Sequence, residues 1–168
     1  MPDDDVKDRI NICLPVLSLL MLTSCVLITI SLIPLSSVLA KNVTTQVDDL
    51  TAKGVALDRL GNHTGAIAYY DKVLAINATD TDALYNKGLA LDRLGNHTGA
   101  IAYYDKVLAI DPNYTDALGG KGLSLYILGK YAEAIAYYDK VLAINATDTN
   151  ALHNKGLALD RLGNHTSK

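Results

Sequence analysis

The chain has no tryptophan and no phenylalanine, so ten tyrosines supply all the aromatic bulk of its 168 residues. Its only cysteines, Cys13 and Cys25, lie inside an uncharged segment. From residue 41 onward there is therefore no disulfide framework and no thiolate metal site, and stability must come from packing alone. Charge of one sign is also missing: from Lys41 on, 13 Lys and Arg face 14 Asp and Glu. That balance lacks the basic stripe that nucleic-acid binding wants. Glu133 is the single glutamate. There is no Gly-rich phosphate loop, no nucleophile elbow, no HExxH and no paired-carboxylate pocket. The expectation is a protein that is not an enzyme, with no catalytic residue, no metal and no cofactor.

Ile10–Ala40 carries no charged side chain, and Leu14–Ile33 within it is long enough, as a helix of about 30 Å, to cross the hydrocarbon of a bilayer. A core helix would be amphipathic, whereas this run is apolar on every side. Two readings stay open. The length exceeds the 7–15 residues or so of a signal-peptide core and favours a retained anchor. Pro34 followed by Ser36-Ser37-Val38-Leu39-Ala40 instead resembles a signal-peptidase site, with secretion after cleavage near Ala40. Leu22-Thr23-Ser24-Cys25 resembles a lipoprotein box, but cleavage there would leave another dozen apolar residues at the new N-terminus. Lys7, Arg9 and the α-amine precede the segment, against Lys41 just after it, which favours a cytoplasmic N-terminus and an outward-facing remainder. The expected organisation is a polar tail over 1–9, an anchor or signal over 10–40 and a linker over 41–46.

The rest of the chain is a repeat of 34 residues. Val47–Asp80, Thr81–Tyr114 and Thr115–Asp148 are complete units, and 149–168 is a partial fourth. Ala56–Ile76 and Ala90–Ile110 are identical. A fixed period in this range marks an array in which each unit buries its apolar face against its neighbours. In unit two a helical pattern runs to Leu94, Gly95-Asn96 interrupts it, and a second pattern runs from Thr98 to Ile110 before Pro112. Gly95 suits the left-handed conformation that ends a helix, Thr81 and Thr98 suit N-caps, and Pro112 blocks continuation. Each unit is expected to be a helix hairpin.

These residues resemble the tetratricopeptide repeat. The first-helix signature falls on Leu84, Gly88 and Leu91, with Leu50, Gly54 and Leu57 before them and Leu118, Gly122 and Leu125 after. The second-helix signature falls on Ala100, Tyr104 and Val107, matched by Ala66, Tyr70 and Val73 and by Ala134, Tyr138 and Val141. The closing proline is present only at Pro112, and Leu stands where the family has Trp. The resemblance covers Val47–Lys168. It implies an all-α fold, a right-handed superhelical solenoid of helix-turn-helix repeats, here preceded by one N-terminal transmembrane helix.

The resemblance further implies that the first helices line a concave groove for a protein or peptide partner. Candidate groove residues are Val55, Asp82, Tyr85, Asn86, Leu89, Asp92, Arg93, Leu123, Tyr126, His153 and Leu157, together with Asp116, Gly119, Gly120, Ile127, Asn150, Asn154, Asp160 and Arg161. Val55, Leu89, Leu123 and Leu157 would form an apolar floor beside an Asp/Arg ladder that unit three interrupts. Some family members clamp a peptide carboxylate with Lys, Arg and Asn. The corresponding positions here are Thr51, Val55, Tyr85, Leu89 and Asp82, so that clamp is absent.

His63, His97 and His165 recur at one register, where unit three has Tyr131. Copies a whole repeat apart cannot converge on one zinc ion, and packing is the better account. Seven sequons, at Asn42, Asn62, Asn77, Asn96, Asn113, Asn145 and Asn164, fall at turns or edges and are candidate glycosylation sites. Turn chemistry by itself also favours Asn and Thr at such places. Lys155–Thr166 repeats Lys87–Thr98 letter for letter, leaving Leu152, Leu159 and Leu162 as faces suited to a following helix and open to self-association. The favoured function is a membrane-anchored, outward-facing binding module. The rivals are a glycosylated structural surface protein without a dedicated ligand, and a cytosolic adaptor.

Overall fold

The structure, a computed structural model, describes residues 39–166. The expected apolar segment over 10–40 lies outside these residues except for Leu39 and Ala40, and no described helix is long and apolar enough to cross a membrane. Helix α1 runs over 39–59, including the expected linker 41–46. It is followed by α2 (His63–Ile76), α3 (Thr81–Arg93), α4 (His97–Ile110), α5 (Thr115–Ile127), α6 (Tyr131–Ile144) and α7 (Thr149–Thr166). No strand occurs among the described residues. The chain divides into two units between Gln46 and Val47, and the repeats make up the second.

The hairpin turns are built as the glycines predict. Gly61, Gly95 and Gly129 take φ of 81°, 77° and 77°. Asn96 N–H donates to Leu91 O and Gly95 N–H to Asp92 O, each at 2.9 Å. This paired closure satisfies the last carbonyls of the helix. The N-caps lie upstream of the expected threonines. Asp80 accepts from Ala83 N at 2.9 Å, and Asn96 accepts from Gly99 N at 3.0 Å. Thr81 and Thr98 are already inside their helices. A cap must sit at a non-helical residue whose side chain reaches back to the first turn, and the carboxylate and carboxamide one or two places earlier meet that condition.

Each helix from α2 to α7 packs on the next, and α3 touches α5 as α5 touches α7. The second-helix tyrosines Tyr70, Tyr104 and Tyr138 are almost wholly buried. Tyr104 packs with Ala117 of the following unit, and Tyr138 with Ala151 and Ala158. The facing glycines make room for these rings. A Cβ on Gly54, Gly88 or Gly122 would stand 2.6, 2.8 or 2.7 Å from the Cε1 of Tyr70, Tyr104 or Tyr138. The core is thus a row of tyrosines, each shared between one unit and the next, which is why a unit needs a neighbour.

One identical dodecamer takes two conformations. Lys87–Thr98 breaks at Leu94–Asn96 so that α4 can fold back, whereas Lys155–Thr166 stays helical through Gly163. Packing of α4 against α3 offsets the cost of the break in unit two, and no helix follows α7 among the described residues.

Candidate binding groove

The side-by-side first helices α3, α5 and α7 form one face, and a depression of about 340 Å³ opens on it. Tyr85 and Leu89 come from α3, Asp116, Gly119, Gly120 and Leu123 from α5, and Asn150 and Asn154 from α7. Thr115, Asp148, Tyr138, Val141 and Ala151 complete the lining. The depression exists because unit three carries Gly119-Gly120 where unit two has Tyr85-Asn86 and unit four has His153-Asn154. A side chain at Gly119 would meet nothing within 4 Å, whereas one at Gly120 would come within 2.9 Å of Tyr104 Cζ. Gly119 therefore leaves open space, and Gly120 lets α5 sit close to the Tyr104 ring. Only Asp116 and Asp148 among the lining residues are charged. Tyr85 packs on Tyr104 and Tyr114, with ring centroids 6.0 and 5.6 Å apart. Burial pushes its phenol up to about 12, with the Asp116 carboxylate adding to the effect.

Of the expected groove residues, the structure brings Tyr85, Leu89, Asp116, Gly119, Gly120, Leu123, Asn150 and Asn154 to this depression. Val55 and Asn86 are half-buried elsewhere, and Asp82, His153, Leu157 and Asp160 are exposed outside it. A second depression, of about 360 Å³, lies off this face, between the α5–α6 turn and Leu162.

Asp92 and Arg93 belong to ties between units. Arg93 of unit two reaches back to Asp58 of unit one, which also meets His63 Nδ1 at 2.6 Å and is 8% exposed. Asp92 has no arginine ahead of it, because unit three carries Ile127 at that register. Instead Ser124 Oγ donates to Asp92 at 2.8 Å, Tyr104 Oη donates at 2.7 Å, and His97 Nδ1 pairs at 2.9 Å. In unit three both members of the Asp–His pair are exchanged. Tyr126 and Tyr131 pack with centroids 5.4 Å apart, and the Tyr126 phenol raises the pKa of the Arg161 guanidinium of the next unit. Of the Asp/Arg ladder read along the groove, one rung, Asp58–Arg93, ties two units, and Ser124 and Tyr126 interrupt it at the next two junctions.

Three lysines on the same helices are also engaged. Lys87 pairs with Asp71, Lys121 with Asp105 and Lys155 with Asp139, always to the preceding unit. Lys87 and Lys121 also lie over the Tyr103 and Tyr137 rings, 4.5 and 4.4 Å from the centroids. Burial is the largest single effect and opposes their charge, but the hydrogen bonds and charge interactions with the aspartate and the tyrosine together outweigh it, so both pKa values rise. No group of three or more His, Cys, Asp and Glu among the described residues is placed to hold a metal ion.

Sequence reasoning missed Asp58, Ser124 and the lysine ties. The signal was present: Ser124 alone departs from Ala56, Ala90 and Ala158, and Ile127 alone departs from Arg59, Arg93 and Arg161, both in one unit. Among the sequons, Asn62 and Asn96 are exposed N-caps, and Asn77 and Asn145 accept from the backbone N–H and hydroxyl of their own Thr79 and Thr147 at 3.2 and 3.0 Å.

Stacked helix hairpins with tyrosine-into-glycine packing define a helical repeat scaffold. Two tetratricopeptide repeat models match, one over residues 51–115 and the other over 115–148, together more than half of the chain, and the chain belongs to that family. Among solved structures, the first tetratricopeptide domain of Spaghetti (RPAP3) bound to the HSP90 peptide SRMEEVD is 23% identical with a TM-score of 0.68. That likeness covers 71% of this chain and 94% of that one. The corresponding domain of Sgt2 from Aspergillus fumigatus is 20% identical with a TM-score of 0.68, over 73% of this chain and 82% of that one. MamA is 26% identical with a TM-score of 0.67, over 70% of this chain and 68% of that one. No curated protein matches the chain.

Proposed function

We propose that the chain is a membrane-anchored, outward-facing tetratricopeptide module that binds a protein or peptide partner along the face of α3, α5 and α7. The depression at Gly119 carries this reading: it joins three successive units, and Leu123 on its wall is 42% exposed. Its size falls at the lower end of the roughly 300–1,000 Å³ typical of ligand pockets. The Spaghetti domain holds an HSP90 peptide on the same fold. An acidic-tailed peptide is not the expected partner here, because Thr51, Val55, Tyr85, Leu89 and Asp82 offer no cation for a carboxylate.

A photo-crosslinking residue placed at Leu123 should capture a discrete partner in the native membrane, and one placed at Lys140 on α6 should not. Leu89→Glu should remove the product. Equal labelling from both positions would sink the groove reading. Alkaline extraction tests the anchor: protein left in the membrane pellet supports it, and a mature mass beginning after Ala40 supports secretion.

A second reading, a glycosylated surface component without a dedicated ligand, draws on the exposed Asn77 and Asn145 turns. It predicts a mobility shift with peptide N-glycosidase and no crosslinked partner. Leu152 and Leu159 on α7 are about half exposed, and pairing of α7 between copies would appear as concentration-dependent sedimentation.

A further inference from the structure

We infer that the depression at Gly119 selects a peptide carrying a lysine or arginine beside apolar residues, an inference that rests on the groove reading of α3, α5 and α7. Charge complementarity carries it. Two carboxylates, Asp116 and Asp148, stand on the rim, and no Lys, Arg or His lines the site. Four of the cations on the same helices are committed elsewhere, Lys87, Lys121 and Lys155 to aspartates of the preceding units and Arg93 to Asp58, and Arg161 is not among the lining residues. None of the described ion pairs neutralises Asp116, and Asp148 spends one oxygen on Ala151 N at 2.8 Å.

The N-termini of α5 and α7 lie at this rim, and each contributes a positive partial charge of about half a unit. Two full negative charges outweigh that, leaving about one negative charge facing the site. The walls suit the rest of such a ligand. Leu89 and Leu123 supply apolar contact, and the missing side chain at Gly119 supplies the room. A peptide ending in carboxylates would meet like charge instead.

The test uses the full chain in nonionic detergent and three fluorescein-labelled peptides, acetylated and amidated. They are identical leucine-flanked sequences with a central lysine, norleucine or glutamate. The lysine peptide should bind about tenfold more tightly than the glutamate peptide, with the difference shrinking as salt rises from about 50 to about 500 mM. Asp116→Asn with Asp148→Asn, which keeps an acceptable cap on α7, should bring the lysine peptide to the norleucine level. Gly119→Tyr should block all three while helical circular dichroism is retained. Equal affinities that Gly119→Tyr still abolishes would overturn the charge selection and leave the groove reading standing. Absence of binding by any peptide, or binding indifferent to Gly119→Tyr, would overturn both.

Discussion

Units two and three hold their central tyrosines in nearly the same hole and treat the hydroxyls differently. Tyr104 faces Gly88 and Tyr138 faces Gly122 at closely similar distances. Yet Tyr104 Oη donates to Asp92 at 2.7 Å, whereas Tyr138 Oη is buried with no hydrogen-bond partner among the described residues. One exchange accompanies this but does not account for it alone, because Tyr70 is buried without a hydrogen-bond partner among the described residues even with Asp58 at the same register of unit one. Tyr126 stands in unit three at the register of Asp92 and offers Tyr138 no carboxylate. Ring packing is thus common to the units and sets the fold, while the polar groups around the ring differ from junction to junction. A buried hydroxyl without a partner costs more than the same ring without the oxygen, so the comparison can be broken at single atoms.

The largest effect should be the same in both units. Gly88→Val and Gly122→Val each drive a branched side chain into a fixed tyrosine, and each should cost about 2–3 kcal/mol in urea unfolding followed by circular dichroism. A clear inequality between them would show that the two holes are not alike. Next, Tyr104→Phe should cost about 1–2 kcal/mol, because it removes a donor from Asp92. Tyr138→Phe should be neutral or stabilise by up to about 1 kcal/mol. Comparable losses in both would refute the difference between the two hydroxyls.

A smaller effect belongs to Ser124→Ala, about 1 kcal/mol, since Asp92 keeps its contacts to Tyr104 and His97. Adding Ile127→Arg should recover that loss by rebuilding the Arg93–Asp58 type of tie, and a double-mutant cycle would measure the coupling. The last effect appears only at high pH. Burial pushes Tyr138 up to about 12, above the value near 10 of an unfolded chain. The neutral form is favoured by folding, so this contribution is whole below about pH 10 and is lost as pH rises through about 12. Tyr138→Phe should blunt the alkaline loss of stability, and an unchanged pH profile would count against it.

The sequence carried the fold because the fold is periodic. Glycine at Gly95, tyrosine at Tyr104 and the facing Gly88 recur every 34 residues, and each has a packing reason that needs no distant information. The caps were displaced by one or two places, since Asp80 and Asn96 compete with the adjacent threonines for the same donors. The site was less legible. A face reading puts Asp92 and Arg93 in the groove because it sees only one helix, whereas their partners Ser124 and Asp58 lie about one repeat away in sequence. The Gly119-Gly120 depression was visible only as two missing side chains. Their effect depends on which neighbours stand around the gap.

The exchanges in unit three also bear on how the chain finds its register. Helices α2 and α4 share one sequence, so a folding chain could seat either in the other's place at little cost, and copies of the chain could trade them. Ser124 and Ile127 fit behind an aspartate that has no arginine to meet, and Tyr126 fits ahead of Arg161. That mismatch lifts the degeneracy. It gives an otherwise repetitive polymer one landmark from which every other hairpin can be counted.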